Sequence, residues 1–203
     1  MNIPRRNFLK ATLTASAATA LGTTASSAAT SPVGPREYYE LRAYRLAAGA
    51  STALLEGYLE KALIPALNRR GVAGVGVFRE TPAPAAPVIW VLIPHASPEA
   101  FVNANTGINA DPAVLAAGAE YLQVPRNEAA FERVDSWLLL AFAGMPRMEL
   151  PAYSRSRQPR LFEMRMYESH SELKARKKID MFNDGEIQIM RDVGLAPVFF
   201  GEA

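Results

Sequence analysis

The chain has 203 residues, 49% of them hydrophobic and 21% charged, which leaves room for one large domain or two small ones and excludes general disorder. It contains no cysteine, so disulfides, thiolate metal sites and a cysteine nucleophile are excluded. The formal net charge is +2, but Arg5, Arg6 and Lys10 sit in an acid-free leader; the remainder carries 19 basic against 20 acidic side chains, and no global basic charge argues for nucleic acid.

The leader reads Arg5-Arg6-Asn7-Phe8-Leu9-Lys10, followed by a weakly apolar Ala/Thr/Leu run from Ala11 to about Gly22. Paired arginines before such a run predict a twin-arginine export signal over residues 1–28, cleaved near Ser26-Ser27-Ala28, with a linker over 29–36. The run falls short of the ~20 strongly apolar residues a bilayer span needs. A periplasmic or secreted protein without a transmembrane segment is expected.

Residues 37–46 alternate as a strand, with Tyr39, Leu41 and Ala43 on one face and Glu40, Arg42 and Tyr44 on the other. Ser51 or Thr52 caps a predicted helix with an apolar stripe at Leu55, Leu59, Leu63 and Leu67, kinked at Pro65 and ended by Gly71. Strands are predicted over 72–78, 88–93 and 136–142, the second nearly continuous in apolar residues and so buried on both faces. Between the last two strands lie helices opening at Ser97-Pro98 and Asp111-Pro112. The order strand, helix, strand, strand, helix, strand is that of a split βαβ, ferredoxin-like α+β module over 37–143.

A linker over 144–160 carries Pro146, Pro151, Pro159 and the basic run Arg155-Ser156-Arg157, read as a solvated loop. Then the opening string returns. Tyr39-Glu40-Leu41-Arg42-Ala43-Tyr44 is echoed 123 residues later by Phe162-Glu163-Met164-Arg165-Met166-Tyr167. A strand over 162–167, a helix from Ser171 to Asp192 and a strand over 194–200 make a partial second module over 161–203. The rest of that module has no counterpart, and a truncated chain, or one completed by a partner, is expected.

These recurring strings, with Ile64-Pro65, Met181-Phe182-Asn183 and the closing Val198-Phe199-Phe200-Gly201-Glu202, resemble the NIPSNAP family. The resemblance implies a dimeric α+β barrel type of fold and supplies no catalytic residues. Since helices need apolar partners, Tyr39, Leu41 and Ala43 are expected to face them, as are Phe162, Met164 and Met166 in the second copy. Glu40, Arg42, Tyr44, Glu163, Arg165 and Tyr167 would then line the barrel interior and share it with Val88, Trp90 and Leu92.

Glu40, Arg42, Tyr44, Trp90, Glu163, Arg165 and Tyr167 are therefore the ligand-pocket candidates, set against a plain structural ladder of ion pairs and tyrosines. His95, at the end of a strand, is the candidate general base; the plainer role for it and for His170 is solvated or capping. Two distant histidines without ligand spacing predict no metal, and no cofactor is expected. Residues 71–76 are glycine-rich but run from helix into strand, the reverse of a phosphate loop. Lys174, Arg176, Lys177 and Lys178 read as a solvated helix face. The expected function is an exported binding or scaffold protein, acting as a homodimer through barrel pairing. The alternative is a cofactor-free mono-oxygenase or isomerase acting on a small aromatic or acidic organic ligand in the barrel cavity.

Overall fold

The computed structural model describes residues 34–156 and 160–203. The leader, its cleavage site and Arg157 of the basic run lie outside the described residues. The fold is α+β.

A five-stranded antiparallel sheet has the order β2-β3-β1-β4-β5, with β1 (Tyr38–Arg45) at its centre. It is flanked by β3 (Val88–His95) and β4 (Arg133–Ala141), while β2 (Gly76–Arg79) and the two-residue β5 (Gly201–Glu202) form the edges. The order β2-β3-β1-β4 is that of a split βαβ module. In register, Arg42 lies opposite Val91 and Ser136, and Leu41 opposite Leu92 and Trp137.

Helices cover one sheet face. α1 (Ala53–Tyr58) and α2 (Ile64–Arg69) are joined by a π-turn at Leu59–Leu63, where the Ile64 N–H donates to the Leu59 carbonyl. Pro65 follows at once; it has no N–H to return to the preceding turn, and the wider turn ahead of it absorbs the mismatch. α3 (Pro98–Asn109) is capped by Ser97, whose hydroxyl accepts from the Ala100 N–H. α4 (Pro112–Ala117) and α5 (Ala119–Leu122) are separated at Gly118, where a Cβ would meet the Tyr58 ring at 2.9 Å.

The helix-side core joins Tyr44, Ile89, Val91 and Ile93 of the sheet to Leu55, Leu59, Leu63, Leu67 and Ile108. On the other face Tyr39, Leu41, Ala43, Trp90 and Leu92 form a second apolar cluster, with Trp137, Leu139, Met148 and Phe199 against it. The expected faces of β1 are thus exchanged. Glu40, Arg42 and Tyr44 point to the helices, and Tyr39, Leu41 and Ala43 away from them. Alternation decides which residues share a face, not which face is which. Both sides of β1 are closed by apolar neighbours, so the hydrophobicity of Tyr39 and Leu41 did not discriminate. For β3 the expected sides are the observed ones: Ile89, Val91 and Ile93 lie with the helices, Trp90 and Leu92 opposite.

The stretch predicted as a linker is bonded on both sides: the Met148 N–H donates to Glu37 Oε2 just ahead of β1, and the Glu149 N–H to the Val198 carbonyl just ahead of β5. Residues 162–167 are not a strand. Among the described residues no backbone ladder reaches 161–169. β1 holds its place because β3 and β4 bond it on both sides, and among the described residues the echo has no such neighbours. Beyond it come α6 (Glu172–Met181), a π-turn at Phe182–Glu186 and α7 (Ile187–Asp192). This π-turn, too, is closed by an N–H five residues on, Ile187 to Phe182, but unlike the first it is kinked at Gly185 (φ 178°, ψ −28°). The two π-turns, α2 with α7, and the left-handed Gly71 (φ 80°) with Gly194 (φ 84°) all stand 123 residues apart. Gln188 stands where Pro65 would recur, so the second π-turn forms without proline. Phe182 and Ile187 pack with Phe142 and Met145 in a third apolar cluster.

Candidate functional site

The strand alternation of β1 sets Glu40, Arg42 and Tyr44 in a row beneath α3. Glu40 is 4% exposed. Arg42 grips it with two hydrogen bonds, Nε to Oε1 at 2.6 Å and Nη2 to Oε2 at 2.9 Å, the bidentate geometry that makes such pairs strong. Arg42 also donates through Nη2 to Asn105 Oδ1 at 2.8 Å and through Nη1 to the Tyr44 hydroxyl at 3.3 Å. Ser136, opposite Arg42 on β4, donates its hydroxyl to Glu40 Oε1 at 3.2 Å. Asn105 is held in turn by its own amide donating to the Phe101 carbonyl.

Burial pushes the Glu40 carboxyl up, but His95, Arg42 and Ser136 around its oxygens outweigh burial and hold it at about 2. Burial likewise pulls the Arg42 guanidinium down, and Glu40 and Tyr44 more than reverse it. The pair is therefore ionised at any pH at which the fold operates. Nearby, the Tyr58 and Tyr121 rings stack with centroids 4.2 Å apart, and burial raises both phenols above their ordinary value.

His95 closes the row. It is 2% exposed, its Nε2 lies 3.6 Å from Glu40 Oε2, and the Phe101 ring meets it edge-on. Neither ring nitrogen has a hydrogen-bond partner. The solvated reading of His95 is thereby corrected, since an apolar neighbour and the end of β3 bury it; His170 is exposed.

Of the nominated residues, Glu40, Arg42, Tyr44 and His95 come together. Trp90 does not join them, because it lies on the opposite sheet face, stacked on Trp137 at 6.1 Å and donating through Nε1 to Glu80 Oε1 at 3.0 Å. Glu163, Arg165 and Tyr167 are also elsewhere, exposed on the unpaired stretch. Arg165 Nε still reaches Glu163 Oε1 at 2.7 Å, so the echo repeats the contact without the burial. Asn105 and Ser136 completed the site without having been singled out. Asn105, the polar member of the stripe Phe101, Ala104, Asn105 and Ile108 on α3, could have flagged the first, and the β1–β4 register would have been needed for the second.

Chemically, the Glu40 and Arg42 groups are spent on each other and on Asn105, Tyr44 and Ser136. A groove of about 330 Å³ lies outside this row, between α1 and α5, lined by Tyr58, Lys61, Glu120 and Tyr121 among others. Among the described residues no three His, Asp or Glu side chains gather as a metal site. Among the described residues, too, no helix is long and apolar enough to cross a membrane.

Residues 2–22 match the twin-arginine translocation pathway signal sequence, so the chain carries a twin-arginine export signal. The fold is similar to the crystal structure of a NIPSNAP family protein with unknown function from Agrobacterium tumefaciens, at 20% identity and a TM-score of 0.40, over 53% of this chain and 89% of that one. Among curated proteins the sequence has no match.

Proposed function

We propose that this exported chain is a periplasmic binding or scaffold protein that works by pairing its sheet with another protein surface. The observation that carries this reading is the saturated Glu40–Arg42 pair. Its charges meet each other, Asn105, Tyr44 and Ser136, as in an ion pair that fixes packing. We read residues 161–203 as a partial second module of the same kind as 37–143, supported by the spacing of 123 residues between the two π-turns. Leu161, Met166, Leu173, Ile189, Val193 and Leu195 are all exposed, and apolar side chains left in solvent are available to a partner surface.

The unpartnered ring nitrogens of His95 beside Glu40 favour the second reading, a cofactor-free enzyme in which His95 is the base. Native mass spectrometry of the exported protein separates the two. An oligomer or protein complex free of small molecules supports the scaffold reading. A monomer overturns it, and a monomer that retains an organic ligand moves the assignment to the enzyme.

A further inference from the structure

Residues 161–167 combine three properties. Among the described residues their backbone has no ladder partner, Leu161, Met164, Met166 and Tyr167 are exposed, and the side chains at 163, 165 and 167 stand together on one side, as those at 40, 42 and 44 do. An extended segment with free backbone groups is a template for strand addition. We propose that it is a self-docking strand, which pairs antiparallel with residues 161–167 of a second copy of this chain across a two-fold axis at Met164. The proposal rests on the scaffold reading and names the seam.

The charge pattern argues for a second copy as occupant. In an antiparallel pair centred on Met164, Glu163 lies opposite the partner's Arg165 and Arg165 opposite the partner's Glu163. Directly opposed unlike charges stabilise such a pair, and two are made at once. Phe162, whose ring already meets Phe78 at 5.4 Å, falls opposite the partner's Met166 on the other face, with the two Met164 side chains between them, so an apolar strip continues from that contact beneath the charged one.

The same pattern rejects the neighbouring registers. Centring the pair on 163 sets glutamate against glutamate, and centring it on 165 sets arginine against arginine. A slip of a single residue puts each charge opposite a methionine or Phe162 and exchanges the faces. Glu163 and Arg165 are 69% and 58% exposed, so both are available to exchange their present contact for the two across the axis.

The absence of cysteine gives a clean test on the mature, full-length protein. Met164→Cys should form a disulfide-linked dimer under mild oxidation about tenfold faster than Met181→Cys; opposed positions across a two-fold approach within disulfide reach, and the two methionines are 41% and 42% exposed. Glu163→Arg and Arg165→Glu should each raise the dimer dissociation constant about tenfold, and the double variant should restore it. All these positions are exposed, and a circular-dichroism melt checks that each variant folds. Equal cross-linking rates, or a double variant no better than the singles, overturn the proposal. If the wild type is then still dimeric, sheet pairing stands and its seam lies elsewhere; a monomeric wild type overturns both.

Discussion

Glu40–Arg42–Tyr44 and Glu163–Arg165–Tyr167 are the same three residues at the same spacing, and they make the same local contact, Nε to Oε1 at 2.6 Å in one and 2.7 Å in the other. Their surroundings differ. The first row is closed in by β3, β4 and α3, so its carboxylate is desolvated and then rescued by Arg42, Ser136 and His95. In the second, Tyr167 rests against Phe182 but Glu163 and Arg165 lie in solvent, where water and salt do most of what a partner would do. A contact between residues two apart in an extended chain is local and needs no fold. The weight of that contact in stability depends on what excludes the water around it.

The largest effect should come from breaking that equivalence. Arg42→Ala leaves a buried carboxylate without its counter-charge and should destabilise the fold by about 3–5 kcal/mol in urea unfolding. Arg165→Ala, measured on dissociated monomer, should leave the unfolding midpoint where it was. Equal effects at the two sites would show that burial does not separate them.

Protonation should reproduce the same contrast more gently. The Glu40 carboxyl lies at about 2 in the fold against 4.5 for an ordinary glutamate. Its contribution is fully present above pH 4.5 and is lost as pH falls towards 2, a change of about 3 kcal/mol by linkage. In Glu40→Gln this part of the acid dependence should be missing from a series of denaturation curves between pH 5 and 2. Its persistence would assign it to another carboxyl.

The smallest effect concerns the helices. Ala66 of α2 is 0% exposed, whereas Ile189, 123 residues on in α7, is 61% exposed. Ala66→Ile should overpack the helix-side core and cost about 1–3 kcal/mol. Ile189→Ala should cost less than about 0.5 kcal/mol, as exposed substitutions do. A larger loss at Ile189 in the assembled protein would mean that a partner covers it.

Much of the module was legible in the sequence because its signals are local. The alternation over 37–46, the apolar stripe from Leu55 to Leu67 and the caps at Ser97 and Asp111 all led to elements the structure contains. The twin-arginine signal was likewise a local string. The site was half legible. Alternation groups Glu40, Arg42 and Tyr44, and His95 marks a strand end; Asn105 joins only because α3 crosses above Arg42. Trp90 was grouped with them in error because the faces of β1 were exchanged while those of β3 were not.

By itself the sequence determined which residues share a side of β1, the recurrence of its string after 123 residues, the helices with their caps and the export signal. Each depends on the backbone period or on contacts within a few residues. Only the tertiary structure decided that the Glu-Arg-Tyr row turns towards the helices, that Trp90 lies across the sheet from it, and that the echoed Glu163–Arg165 pair is left in solvent. The reason is that a face becomes an inside only when something packs on it. β1 acquired β3, β4 and α3, distant in the chain, whereas residues 162–167 acquired no neighbouring strand among the described residues.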